Sequence, residues 1–189
     1  MYENLNELKN ACASCEKCAL SGTRTNLVFG VGNPQAEILF VGEGPGENED
    51  LQGEPFVGKA GQLLDKYLNV IALDRSKNVY IANIVKCRPP QNRDPSEEEQ
   101  EACIGWLREQ TKLIKPKIIV CLGRIAAQRL ISPEFKVTKE HGQFVKKGNI
   151  YFMGTFHPAA LLRNEAQKAD ALKDFQNLRE KIKELEINL

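Results

Sequence analysis

Short, mostly apolar runs alternate along the chain with longer segments whose apolar residues recur every three or four positions. Four of the short runs are typical of buried strands: 36–41, 79–85, 118–122 and 150–156. A looser extended piece is expected around 143–145, just before the last run. Four segments have helical periodicity: 59–72, 96–113, 123–131 and 165–187. The second of these helices begins with Ser96 and Glu99 in the register of a capping box.

This alternation predicts a mostly parallel sheet that is covered by helices on both faces. Ligands of such sheets bind beyond the carboxyl ends of the strands. Three loops of unusual composition fall at those ends: GEGPGENED (42–50), KCRPPQNRD (86–94) and HPAALLRN (157–164). We therefore expect loops that are far apart in the sequence to form one site at one edge of the sheet.

Length and composition limit the class of protein. The 189 residues suit a single domain over residues 1–189, and no apolar run approaches the roughly 20 residues that span a bilayer. The first residues lack the basic and apolar regions of a secretory signal, so a cytoplasmic protein is expected. The 26 basic and 25 acidic side chains nearly cancel, but residues 101–150 hold 10 basic and 4 acidic groups, which is compatible with one basic face.

The six cysteines are candidates for metal ligation, because a chain without an export signal is not expected to form disulfides. Cys12, Cys15 and Cys18 stand three residues apart, and 15 residues separate Cys87 from Cys103. The sixth cysteine lies inside the apolar run 118–122 and is expected to be a buried, small hydrophobic residue. Four thiolates suit either a [4Fe–4S] cluster or a structural Zn²⁺, and the spacing alone does not choose between them.

Four side chains near the predicted strand ends have chemistry of their own. Glu43 lies among three glycines, where a carboxylate can stabilise positive charge or orient a water. Phe56, in a glycine-flanked polar stretch, can stack on a flat base, and the amide of Asn83 can tell uracil from cytosine by its hydrogen bonds. His157 can donate to an oxygen that gains negative charge. Each also has a purely structural explanation, such as a glycine-rich turn or an aromatic residue that covers the core.

Other residues of these loops are candidates for contact with nucleic acid. Leu161 and Arg163 belong to a Leu-Leu-Arg stretch that either packs on the core or forms a wedge that fills the space left by an extruded base. Three basic residues of the second loop would contact phosphates: Lys86, Arg88 and Arg93. Binding is then expected to weaken steeply with salt.

Several of these motifs together resemble one known family. GEGPGENED, EPFVGKAGQLL, NIVKCRPPQNR and FHPAALLRN, with the Cys-x2-Cys…Arg-Thr-Asn opening, are similar to the iron–sulfur (family 4) uracil-DNA glycosylases. The resemblance runs from about Cys15 to Asn164 and keeps the order of the motifs. It implies a three-layer α/β/α fold with a central four-stranded parallel sheet, and removal of uracil from DNA without lyase activity.

The resemblance also implies a role for each matching residue. The ligands of a [4Fe–4S] cluster would be Cys15, Cys18, Cys87 and Cys103, which leaves Cys12 spare. Uracil would stack on Phe56, and Asn83 and the Gly44 backbone would contact its edge. His157 would hold the O2 oxygen of uracil, and Glu49 would crowd its 5-position against the methyl group of thymine. Glu43 takes the place of the aspartate that activates water in better-known uracil glycosylases.

The expected partner is uracil-containing DNA, double- or single-stranded, and no membrane. A monomer is expected, with a sliding clamp as a further candidate partner. The chain lacks the basic, histidine-containing insertion of relatives that trap uracil-DNA covalently, which favours turnover. The alternative class is a non-catalytic iron–sulfur protein that binds nucleic acid or transfers electrons.

Overall fold

The computed structural model of the chain describes residues 2–189, and a six-stranded sheet runs through it. The strands are β1 (Val31–Gly32), β2 (Ile38–Gly42), β3 (Val79–Asn83), β4 (Ile118–Leu122), β5 (Phe144–Lys147) and β6 (Ile150–Thr155). Their order in the sheet is β1-β3-β2-β4-β6-β5. The four middle strands are parallel, and an antiparallel strand lies at each edge. The expected four-stranded parallel sheet is thus present, with two edge strands added to it.

The α-helices of the described residues are α1 (Leu5–Ala13), α2 (Glu47–Gln52), α3 (Lys59–Val70), α4 (Glu97–Ile114), α5 (Arg124–Leu130), α6 (Val137–Glu140), α7 (Pro158–Arg163) and α8 (Lys168–Glu184). The four helices predicted from periodicity correspond to α3, α4, α5 and α8. Ser96 caps α4 through the predicted capping box, since Ser96 and Glu99 each bond the other's backbone N–H. No helix of residues 2–189 has both the length and the apolar character needed to cross a membrane.

The two faces of the sheet carry separate apolar cores. Successive side chains of a strand point to opposite faces, so Ile38 and Phe40 of β2 enter one core while Leu39 and Val41 enter the other. The first core is completed by apolar residues of α3 and α8, and the second by residues of α1 and α4. Because all five β2 residues are buried, this strand reads as a continuous apolar run. Together these layers form the expected three-layer α/β/α fold.

Four helices, α1, α2, α6 and α7, have no predicted counterpart, and two of them lie inside the candidate loops. α2 falls inside GEGPGENED, and α7 falls inside HPAALLRN. Each has six residues, too few for an apolar periodicity to show. The start of α7 is nevertheless encoded locally, because His157 is its N-cap and Pro158 occupies its first turn.

Candidate active site

The carboxyl ends of the parallel strands bring the predicted loops to one edge of the sheet. Gly42 and Asn83 end β2 and β3 and lie opposite each other in the parallel register. Glu43 follows β2 directly, and His157 comes two residues after β6. A Cβ on Gly42 would lie 2.5 Å from Asn83 Oδ1 and 2.6 Å from Phe56 Cζ. Only glycine therefore fits between these two side chains.

A cavity of about 480 Å³ opens at this edge. Its lining includes most of the residues singled out from the sequence: Glu43, Gly44, Glu49, Phe56, Asn83, Arg93, His157 and Arg163. A cavity of this size falls within the roughly 300–1,000 Å³ that is typical of small-molecule sites. The loops therefore converge as the strand pattern predicts, whereas the role of each side chain is a separate question.

Asn83 lines this cavity, and its side chain carries an unpaired acceptor. Asn83 is only 2% exposed. Among the buried side-chain nitrogen and oxygen atoms of residues 2–189, its Oδ1 is the one without a hydrogen-bond partner. Buried amide groups are otherwise almost always paired. An unpaired acceptor on a side chain that lines a cavity favours a ligand that brings an N–H or O–H donor to this residue.

Phe56 forms an aromatic wall beside Asn83. Its ring lies 5.5 Å from the His157 ring, centroid to centroid, with the two planes inclined at 30°. Glu49 supports the loop that carries Phe56, because its Oε1 accepts hydrogen bonds from Val57 N at 3.1 Å and Gly58 N at 3.2 Å. Glu49 thus lines the cavity and also stabilises the loop that follows Phe56.

His157 is held as a neutral donor. Its Nδ1 accepts a hydrogen bond from Ala159 N at 3.1 Å, so the neutral ring carries its proton on Nε2. Burial, with help from the charge of Arg163, lowers the pKa of His157 to about 4. The backbone of Gly123, with φ +92°, passes so close that a Cβ there would lie 2.8 Å from His157 Cβ. The histidine is therefore fixed in position and uncharged near neutral pH.

Glu43 belongs to a small charged network at the cavity wall. Burial and the negative charge of the neighbouring Asp94 raise the pKa of Glu43 to about 7. Arg124 Nη2 donates to Asp94 Oδ2 at 2.5 Å and partly opposes this shift. Sequence reasoning missed Asp94 and Arg124 as members of the site. Their positions nevertheless carry a signal, because Asp94 ends the loop 86–94 and Arg124 comes two residues after β4.

The structure corrects the prediction that Lys86 contacts DNA. Lys86 is 1% exposed, and its Nζ donates to Asn83 O at 2.9 Å and to Gln110 Oε1 at 2.6 Å. Burial lowers the pKa of Lys86 to about 8. A phosphate cannot reach this side chain, which instead ties the end of β3 to α4.

The prediction that Leu161 forms a wedge into DNA is also wrong. Leu161 is 1% exposed and packs in the core beneath α7, whereas its neighbour Leu162 is 44% exposed. The turn of this short helix decides which of the two leucines faces outward.

The other two basic residues of the second loop have partners within the protein. Arg88 donates to Asn92 Oδ1, and Arg93 forms a two-pronged ion pair with Glu99.

Five of the cysteines surround a second cavity: Cys12, Cys15, Cys18, Cys87 and Cys103. Three N–H donors point at their sulfurs, since Trp106 Nε1 lies 3.3 Å from Cys15 Sγ, Arg24 Nη1 lies 3.4 Å from Cys87 Sγ and Lys86 N lies 3.3 Å from Cys103 Sγ. Within residues 2–189 no three Cys, His, Asp or Glu side chains form a group suited to a single metal ion. All six cysteines are free thiols, and Cys121 is buried in β4 as expected.

Comparison with known proteins identifies the family of the chain. The uracil DNA glycosylase superfamily is matched by residues 29–183. A type-4 uracil-DNA glycosylase of Archaeoglobus fulgidus is 44% identical over 94% of this chain and 93% of its own length. The type-4 uracil-DNA glycosylase of Thermotoga maritima is 46% identical over 82% of this chain and 81% of its own length. A type-5 uracil-DNA glycosylase of Pyrobaculum aerophilum is 30% identical over 69% and 64% of the two chains. The chain therefore belongs to the uracil-DNA glycosylase superfamily, and within it to the type-4 family.

Proposed function

We propose that the chain is a monofunctional uracil-DNA glycosylase that flips uracil out of DNA and hydrolyses its N-glycosidic bond. The products are free uracil and an abasic site, which is the first step of base excision repair. The unpaired Oδ1 of Asn83 carries this proposal. Uracil offers an N–H donor beside a carbonyl acceptor, and this pair matches the two ends of one side-chain amide.

The remaining groups of the cavity fit the chemistry of bond cleavage. Phe56 supplies a face on which the flipped base stacks, as bases do on aromatic side chains. Cleavage leaves negative charge on uracil, and the Nε2–H of neutral His157 donates to the O2 oxygen where that charge gathers. Glu43 then acts on the sugar side, where its carboxylate stabilises the developing cation or guides the attacking water.

A cleavage assay on uracil-containing oligonucleotides tests this function. U·G, U·A and single-stranded substrates, compared side by side, should each be scored for free uracil and for an abasic strand. We expect both products and no strand cleavage beyond the abasic site, since no lyase activity is proposed. Binding of the oligonucleotides without release of uracil would contradict the proposal.

Asn83→Asp should relax the discrimination between uracil and cytosine. A carboxyl group in place of the amide no longer fixes a donor opposite O4 of uracil, so it can accept from the amino group of cytosine instead. We expect slower uracil release and measurable cytosine release from the same oligonucleotide. The matched control is Asn92→Asp at the cavity mouth, where the side chain is exposed and bonded to Arg88. Unchanged selectivity in folded Asn83→Asp would count against base reading by this residue.

The surface around the cavity mouth fits a DNA partner, either double- or single-stranded. Arg163 is exposed and lines the cavity, and Leu162 projects from the same short helix. We therefore assign Leu162, rather than Leu161, to the gap left by a flipped nucleotide. Arg88 is the half-buried basic residue of the neighbouring loop, and we assign it, with Arg163, to phosphate contacts. A monomer serves this function, with a sliding clamp as a candidate partner.

We propose that four of the cysteines that line the second cavity, Cys15, Cys18, Cys87 and Cys103, hold a [4Fe–4S] cluster. Three of these sulfurs already face N–H donors, which suits thiolate ligands of such clusters. Bound there, the cluster would supply a covalent link between the N-terminal segment and the loop that follows β3. The residues of that loop, including Pro89 and Asn92, would thereby be held at the mouth of the active-site cavity.

Cys103→Ser should abolish cluster binding, because it removes one ligand of four. Visible absorbance and iron content of the purified protein measure this directly, without any reference to cleavage. Cys121→Ala is the matched control, since this cysteine is buried in β4 and lies away from the second cavity. Wild-type protein that is colourless and carries zinc would contradict the assignment.

A further inference from the structure

The backbone of Phe56 is held in a conformation that this residue type rarely adopts. Its φ is +54°, in the left-handed region that favours glycine. Such outliers persist only where the surroundings impose them, and they concentrate at functional sites. The residue is also 6% exposed, so its ring cannot be relocated without opening the cavity wall.

Arg75 supplies the contacts that fix this conformation. Its Nη2 donates to Phe56 O at 2.7 Å, and its Nη1 donates to Pro55 O at 3.3 Å. Its Nε donates to Asp65 Oδ1 at 2.7 Å, so the guanidinium is anchored on α3 while both terminal nitrogens hold the loop. A rigid planar fork is suited to three such bonds, whereas a lysine ammonium is not.

The Phe56 carbonyl that Arg75 bonds packs closely against Gly61 of α3. A Cβ on Gly61 would lie 1.8 Å from Phe56 O and 2.1 Å from Phe56 C. The glycine therefore leaves just enough room for the carbonyl to point towards the guanidinium. On the other side of the loop, Glu49 bonds the N–H groups of residues 57 and 58. The peptide after Phe56 is thus bonded at its C=O by Arg75 and at its N–H by Glu49, and Arg75 also bonds the C=O of the peptide before it.

We propose that Arg75, anchored by Asp65, is a positioning residue that holds Phe56 in its left-handed conformation and so presents the ring to flipped uracil. This inference rests on the proposed function, in which Phe56 stacks on the base. Arg75 does not line the cavity, and it acts on uracil only through Phe56. We call this arrangement of Asp65, Arg75 and the Phe56 carbonyl the Arg75 clasp.

A double-mutant cycle tests the Arg75 clasp. Base–aromatic stacking is worth about 1–3 kcal/mol, so Phe56→Ala should lower kcat/KM by about 5–150-fold. Arg75→Ala should cause a loss of about tenfold and weaken inhibition by free uracil. The double variant should lose no more than Phe56→Ala alone, because Arg75 acts through that ring. Losses that multiply in the double variant would overturn the proposal, since a merely structural arginine lowers activity whether or not the ring is present.

A pair of glycine variants tests the same contact from the other side. Gly61→Ala should push the Phe56 carbonyl away from Arg75 and reproduce the loss of uracil inhibition. Gly105→Ala is the matched control, because Gly105 is also helical and an added Cβ meets nothing within 4 Å. Equal behaviour of the two alanine variants would count against the clasp.

Substitute variants and the activity of the wild-type protein separate a failure of the clasp from a failure of the proposed function. If Arg75→Ala does not fold, Arg75→Lys and Asp65→Asn replace it in the cycle, and each should show a smaller loss of the same kind. Wild-type protein that releases no uracil would overturn the proposed function and the clasp together. Active wild-type protein with multiplying losses would overturn the clasp alone.

Discussion

His157→Ala should slow uracil release by about 10²–10³-fold, the effect typical of removing one preorganised donor to a developing anion. The Nε2–H of His157 is fixed because Nδ1 already accepts from Ala159 N. Because the pKa of His157 is lowered to about 4, the wild-type ring is neutral throughout the working pH range. Removal of the His157 ring should therefore lower the single-turnover rate by the same factor at every pH from 6 to 9.

The second histidine of the chain provides the control. His141 Nδ1 bonds Asp174 at 2.8 Å and lies outside the cavity lining, so His141→Ala should retain the single-turnover rate while lowering the melting temperature. His157→Ala protein that releases uracil at nearly the wild-type rate would remove this residue from the chemistry. A rate loss of equal size in both variants would point to a general effect on folding instead.

The sheet and the place of the site follow from local patterns in the sequence. Apolar runs such as 118–122 are buried on both faces, so their burial shows in composition alone. The parallel order then places Glu43, Asn83 and His157 at one edge, because each follows or ends a parallel strand. The edge strand β1 consists of Val31 and Gly32 alone, and two residues are too few to show the alternation that predicts a strand.

The errors concern side chains whose surroundings are set by distant parts of the chain. Lys86 looks like a surface cation because its partner Gln110 lies 24 residues away on α4. Leu161 is buried and Leu162 is exposed on a six-residue helix, which is too short for periodicity to define its buried face. Asp94 joins Glu43 only once the loops after β2 and β3 have converged.

Glu43→Gln should slow uracil release by about 10²-fold or more, because it removes a charge placed to stabilise the developing cation. The pKa of Glu43 in the folded protein is about 7, so the active carboxylate form increases as pH rises towards that value. We expect the wild-type single-turnover rate to rise about tenfold per pH unit below pH 7 and to level off above it. The rate of Glu43→Gln should be low and independent of pH over the same range.

The neighbour of Glu43 and the stability of the fold provide two checks on this assignment. Burial is the main cause of the raised pKa of Glu43, and the negative charge of Asp94 adds to it, so Asp94→Asn should move the midpoint of the rate profile to lower pH. The folded protein keeps the Glu43 proton up to about pH 7, whereas the unfolded chain loses it near the ordinary value of 4.5. The free energy of unfolding therefore falls as pH rises between these values, and Glu43→Gln should melt at a higher temperature than wild type at pH 8. A midpoint that stays in place in Asp94→Asn would show that the profile reports some other group.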